Sequence, residues 1–385
     1  MSSRLLPRSV RVIAAGLLVP LAAPPALRAG EPPPDTGPQA REHPAIIIVV
    51  GAPGTEEYGA EFERTAALWV ETARGVASDV LRIGPGETST GHDGEDTDEA
   101  TDRARLEKAI AARKGPASSR LWIVLIGHGT FNGQKANFNL VGPDVSSTEL
   151  AAWLEDAARP LAIINCASAS GPYINHLSGP DRVIVTATRS GYEYDFARFG
   201  GYLADVIAAQ DTDLDKDEQV SLLEAFLAAA SRVAEFYESE ARLATEHALI
   251  DDNGDGLGTP PDWFRGIRAI RKASDDAALD GVKANQVFLV PRPAERDMPP
   301  DVRAKRDDLE LAISELREEK PALDEDDYYE RLEPLVLELA RLYASLEESE
   351  NEKAGPPAPP DEANPDEAKP APPAPAPEAG TPAGE

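Results

Sequence analysis

Leu121-Trp-Ile-Val-Leu-Ile-Gly-His-Gly129 and, 40 residues on, Leu161-Ala-Ile-Ile-Asn-Cys-Ala-Ser168 decide how this chain folds. Each begins with a short apolar run and stops abruptly at a polar residue. Such runs are apolar at every position, not only at alternate ones. That is the mark of strands buried on both faces, as in parallel sheets covered by helices. Working outward, Ala45-Ile-Ile-Ile-Val-Val50 is a further run that ends in Gly51-Ala-Pro-Gly54. Asp79–Ile83 and Arg182–Ala187 read the same way, and Asn137–Leu140 reads as a short extra strand. Between them, residues 56–77 carry Phe62, Ala66, Leu68, Trp69 and Ala73 at helical spacing. Helices are also expected over Asp102–Arg113, from a Ser147 cap to about Asp156, and from Ala197 to Ala209, with a loop over 85–98. Gln286-Val-Phe-Leu-Val290 is expected to add a sixth strand after a helical section at 220–275. Strands alternating with helices predict an α/β fold, a mostly parallel six-stranded sheet flanked by helices, spanning about 44–292.

The ends of the chain differ from this core. Arg4, Arg8 and Arg11 precede an uncharged apolar stretch from Val12 to Leu27, and Ala29 offers a small residue for cleavage, so 1–29 reads as a signal peptide for export, periplasmic or secreted. Residues 30–43 are a Pro-rich linker. Val302–Glu319 and Asp326–Ser349 read as a charged helical hairpin over 300–350 turning at Pro321, an accessory helical segment or a dimer contact for self-association. From Asn351 to Glu385 the composition is Pro, Ala, Glu and Gly, a disordered tail. The net charge of −30, with no basic stripe, excludes nucleic acid as a partner and an anionic membrane surface. No other segment is apolar for long enough to span a bilayer, so no membrane is expected for the mature form.

In an open parallel sheet, ligands bind beyond the carboxyl ends of the strands. His128 follows one strand and Cys166 follows the next. Cys166 is the sole cysteine, so the exported chain can form no internal disulfide. Adjacent strands lie about 4.8 Å apart, which brings a thiol and an imidazole to one rim. A thiol becomes a nucleophile when an imidazole takes its proton, and the Gly129 and Cys166 amides are candidate oxyanion donors. Taken singly, a His in a glycine turn and a Cys after an apolar strand each have an ordinary structural reading. The other histidines lack this setting: His43 and His92 fall in linkers, His176 near a turn, and His247 in a helix. No Gly-x-Ser-x-Gly elbow occurs, which argues against an α/β-hydrolase.

The stretches WIVLIGHGTFNG (122–133), LAIINCASASGPYI (161–174) and VTATRSGYEYDFARFGGYLADVI (185–207) resemble the caspase-like cysteine peptidases, most closely the legumain-type branch. The resemblance covers about 44–235. It implies His128 as base, Cys166 as nucleophile and Gly129 as oxyanion donor in an endopeptidase acting on a peptide or protein substrate. It also implies that the third stretch lines the pocket for the residue before the cleaved bond, with Arg189, Glu193 and Asp195 as candidate contacts. The chain departs from the legumain pattern at Ala167, where an acidic residue is usual, so preference at that pocket stays open. A catalytically inactive calcium-binding interaction module and a transamidase are the alternatives.

Two acidic loops complete the reading. Residues 213–224 place Asp213, Asp215, Asp217, Gln219, Ser221 and Glu224 at the ligand spacing of an EF-hand calcium loop, with Glu218 where glycine is usual. Residues 251–262 repeat the pattern with Asp251, Asn253 and Asp255, and with Gly256 at the turn. Structural Ca2+ is the only cofactor expected.

Overall fold

The computed structural model describes residues 44–77, 79–86, 101–275 and 277–354. The expected signal peptide, the linker, most of the 85–98 loop and nearly all of the tail lie outside the described residues.

The expected strands form. β1 (Ala45–Val50), β2 (Asp79–Ile83), β3 (Leu121–Ile126), β7 (Leu161–Asn165) and β8 (Arg182–Thr186) make a parallel sheet that β9 (Leu249–Asp251) closes antiparallel, in the order β2-β1-β3-β7-β8-β9. A three-stranded antiparallel sheet, β4 (Gly129–Phe131), β5 (Ala136–Phe138) and β6 (Val145–Ser146), stands beyond the end of β3. The continuous apolar runs are explained by burial on both sides. Trp122, Val124 and Ile126 belong to one core with α1 (Glu56–Arg74), α5 (Phe199–Ala209) and α6 (Leu222–Ser239). Leu121, Ile123 and Leu125 belong to the other, with α2 (Asp102–Arg113), α3 (Ser147–Trp153) and α4 (Pro172–Leu177). Truncating one of these fully buried side chains to Ala is worth about 2–5 kcal/mol.

Four expectations are corrected, the first being the helical section at 220–275, which is α-helical only over α6 and turns to irregular chain and short strands beyond Ser239. The sixth strand is β9, not Gln286–Val290. Val287 and Leu289 are buried as their apolarity requires, but in an irregular segment whose Val287 carbonyl accepts from the Leu222 amide at the start of α6. β9 escaped the pattern because it is three residues long and ends in an aspartate. The cap of α3 is Ser146, not Ser147: its hydroxyl accepts from the Glu149 amide while the Glu149 carboxylate accepts from the Ser146 amide. His247 lies in the irregular segment before β9 rather than in a helix.

After β9 the chain forms a small hairpin, β10 (Phe264–Arg265) and β11 (Arg268–Ala269), then the short helices α7 (Val282–Asn285) and α8 (Pro293–Asp297). α9 (Pro300–Glu319) and α10 (Glu325–Ala354) make the expected hairpin, and a 3-10 turn at Lys320–Ala322 puts Pro321 at the bend. α10 runs through Ala354, past the expected start of the tail. Leu309, Ile313, Leu316, Tyr328 and Leu342 are the buried apolar residues of the hairpin. Arg306 is buried with its guanidinium paired to Glu295 of α8 and to Asp307.

Candidate functional site

The sheet register settles how the two strand tips relate. Leu125 of β3 pairs with Asn165 of β7, and the Cys166 amide donates to the Leu125 carbonyl at 2.9 Å. Cys166 is therefore level with Ile126 and belongs to the same face, in one core cluster with it. His128 lies two residues further along that face, about 7 Å along the strand direction. Its ring stands edge-on to Tyr58 and Phe62 of α1, with centroids 4.9 and 5.1 Å away, and bonds the Pro53 backbone. Burial lowers the imidazole pKa below its ordinary value of 6.5, with the Pro53 bond opposing.

The sole thiol is not presented to this rim. Cys166 is 5% exposed and sits in the core under α5. A Cβ added to Gly200 of α5 would come within 2.4 Å of the Cys166 Cβ and 2.8 Å of its Sγ, so only glycine lets the helix lie this close. Burial pushes the thiol pKa up to about 12, which keeps it protonated at neutral pH.

Both candidate oxyanion amides are engaged as well. The Cys166 amide is in the sheet ladder. The Gly129 amide donates to Ser168 Oγ at 3.2 Å, and Ser168 Oγ donates back to the Gly129 carbonyl at 3.2 Å. A Cβ on Gly129 would meet the Ser168 carbonyl oxygen at 2.1 Å. The glycine after His128 thus permits a tight junction between two strand tips, and its amide is not held open for a ligand.

Of the candidate pocket residues, Glu193 holds the rim together. Its carboxylate accepts from the Arg189 and His247 amides at 3.0 and 3.2 Å, and lies 2.6 Å from His247 Nδ1 and 3.2 Å from Arg189 Nε. Its carbonyl accepts from the Ala169 amide. Asp195 is exposed, and Arg189 is exposed apart from its pairing with Glu193. Sequence reasoning missed His247 and Ser168, because each acts across a gap in the chain that no local spacing encodes. It also missed the aromatic surface of the rim. Phe131 of β4 packs edge-on against Tyr192 at 5.2 Å, Tyr194 follows at 6.2 Å, and Tyr192 and Tyr194 are 66% and 54% exposed.

The two acidic loops fold alike through their first seven positions. In 213–224, Asp213 accepts from the amides of Lys216, Asp217 and Glu218, and Asp217 from that of Gln219. Glu224 reaches back to the Leu214 and Asp215 amides, at positions two and three, and forms a capping box with Ser221 at the start of α6. Oxygens of Asp213, Asp215 and Glu224 lie within 4.8 Å of one another, a set of hard ligands suited to calcium. Asp217 falls outside that cluster and accepts from the Gln219 side-chain amide, while Ser221 caps the helix.

In 251–262, Asp251 accepts from the Gly254 and Gly256 amides, and Asn253 from that of Asp255. Asp262, at the twelfth position, is exposed in the turn that follows Pro261. The amides at positions two and three go instead to Asp280, which accepts from Asp252 and Asn253 at 3.0 and 3.2 Å and from Thr259 Oγ1 at 2.5 Å. Asp280 was not foreseen because it stands 18 residues outside the loop. Among the described residues, neither Asp251 nor Asp255 belongs to a second cluster of three carboxylate or imidazole ligands.

No family model matches this sequence, and no curated protein matches it. Among solved structures, the chain is similar to caspase-1 from Spodoptera frugiperda, with 11% identity, TM-score 0.35, and coverage of 55% of this chain and 90% of that one. It is also similar to the Drosophila initiator caspase Dronc, with 12% identity, TM-score 0.32, and coverage of 56% and 81%.

Proposed function

We propose that this chain is an exported caspase-like module that binds a peptide segment of a protein partner at its strand-end rim without cutting it. The observation that carries the reading is the state of Cys166: a 5% exposed thiol, its pKa raised by burial, with the neighbouring Gly129 amide bonded to Ser168. A nucleophile needs an exposed thiolate and an open oxyanion donor, and the rim offers neither. It does offer Tyr192 and Tyr194, exposed beside Phe131, and tyrosine is enriched where proteins dock. Calcium at Asp213, Asp215 and Glu224 would brace the entry to α6; there it would supply charge neutralisation and rigidity, not chemistry. Export, supported by the 1–29 segment, gives access to the higher calcium levels at which weak loops load.

A second reading, a cysteine endopeptidase with Cys166 as nucleophile and His128 as base, rests on the shared face of those two residues. It requires the thiol to leave Gly200 and Ser168 to release the Gly129 amide. Iodoacetamide labelling of the native full chain at pH 7, run beside hydrolysis of a peptide library, separates the two. The binding reading expects labelling only after denaturation and no turnover. Native labelling, with hydrolysis that Cys166→Ala abolishes, overturns it in favour of the peptidase.

A further inference from the structure

The cavity between α7, the β10–β11 hairpin and the α9–α10 hairpin encloses about 370 Å³. Carboxylates and guanidiniums both line it, but they are not equally engaged. Of the five carboxylates on its wall, Asp215 accepts from Asn285, Asp217 from Gln219, and Asp280 from the Asp252 and Asn253 amides and Thr259 Oγ1. Glu310 accepts from Gln286 and from Tyr343 Oη. Glu318 accepts from the Leu279 amide and pairs with Lys272 at 2.7 Å. Arg306 is doubly paired. Three arginines from three separate elements remain: Arg268 on β11, Arg292 before α8 and Arg317 in the last turn of α9. Among the described residues, none of the three has a carboxylate partner or a side-chain hydrogen bond, and Nε of Arg292 is buried with no acceptor.

Arg268 and Arg317 are exposed and Arg292 is half-buried, so the buried, unpartnered donor is the Arg292 Nε. A guanidinium cannot shed its proton, so a buried donor without an acceptor carries its full desolvation cost, about 1–3 kcal/mol or more. Guanidiniums gathered around a cavity recognise planar or tetrahedral oxyanions through paired N–H donors. We propose that this cavity binds a small anionic ligand bearing carboxylate or phosphate oxygens, held by Arg268, Arg292 and Arg317. Asn285, Gln286 and Tyr343 add neutral polar groups to a wall that also holds the carboxylates of Asp215, Asp217, Asp280, Glu310 and Glu318, against which the ligand's charge would have to be held by the three arginines. The cavity volume suits a small metabolite, not a folded partner.

The test is calorimetric titration of the full chain at low salt with citrate and, separately, with inorganic phosphate. One-site binding of either anion is expected, and the anion preferred tells a carboxylate ligand from a phosphate one. Arg292→Gln and Arg317→Gln are each expected to weaken that binding about tenfold or more. Arg64→Gln, whose guanidinium is already paired with Glu61 and Asp205 on α1 and α5, should leave it unchanged. Because Arg292 is partly buried, its variant is checked by thermal melting. Arg317 is exposed on a helix and keeps the test open if Arg292→Gln fails to fold. Absence of binding by both anions at millimolar concentration overturns the proposal, as does binding indifferent to the Arg317 substitution.

Discussion

The loops at 213–224 and 251–262 begin identically and end differently. Both open with an aspartate whose carboxylate gathers the amides at positions four and six. Both turn through the left-handed region at those positions: φ is 67° and 71° at Lys216 and Glu218, and 85° and 77° at Gly254 and Gly256. In both, a distant carboxylate accepts from the amides at positions two and three. The first loop draws it from its own exit helix, as Glu224. The second cannot, because Pro260 and Pro261 delay any helix, so Asp280 arrives from later in the chain. A spacing motif therefore specifies a turn and its aspartates. Whether those oxygens converge on an ion depends on what closes the loop.

The largest effect expected from this comparison is at Asp280. Asp280→Ala leaves three donors without an acceptor and should cost about 3 kcal/mol at pH 5 by chemical denaturation. Burial beside Asp252 raises the Asp280 pKa, so the folded pair holds a proton that the unfolded chain releases near its ordinary value of 3.8. With fewer protons bound in the unfolded state, stability falls as pH rises from about 4 to about 8, then levels off. The Asp280→Ala penalty should shrink over the same range. Asp280→Asn should flatten this part of the slope, and a slope unchanged in Asp280→Asn would assign it to other groups.

Next in size is calcium. At 100 times its dissociation constant the ion should stabilise the full chain by about 2.7 kcal/mol, seen as a rise in melting temperature that a chelator reverses. Asp213→Asn should remove the rise, and Asp255→Asn should leave it intact. If Asp255→Asn abolishes it instead, the second loop is the binding one and the carboxylate cluster at Asp213, Asp215 and Glu224 is misread.

The same contrast explains how far the sequence could be read. The central parallel strands were legible because burial on both faces writes itself as unbroken apolar runs, as at Leu121–Ile126, whereas the edge strand β2 is half-buried and its run is broken by Asp79 and Arg82. β9 and Asp280 were not, since one is a three-residue antiparallel edge and the other acts from outside its loop. At the rim, the placement of His128 and Cys166 just beyond the ends of neighbouring parallel strands was legible from where the two apolar runs stop. The burial of the thiol was not: it depends on α5 approaching closely enough at Gly200 to cover the sulfur. Ser168, three residues from a strand end, gave no local sign that it would occupy the Gly129 amide.

The smallest effect is the most direct test of the shared turn. A non-glycine residue in the left-handed region costs about 1 kcal/mol that glycine does not. Glu218 bears that cost at φ 71°, and Gly256 avoids it at φ 77°. A Cβ at Gly256 would meet nothing closer than Ser178 Cβ at 3.9 Å, so the space is open and only the backbone conformation opposes a side chain. Glu218→Gly should therefore stabilise the calcium-free chain by about 0.5 kcal/mol, after the added freedom of glycine in the unfolded chain is subtracted. Gly256→Ala should destabilise it by about 1 kcal/mol. Opposite signs at matched positions would establish that the loops share one backbone. If Glu218→Gly is destabilising, the Glu218 side chain is holding its loop through a contact that glycine cannot make, and the likeness ends at the hydrogen bonds.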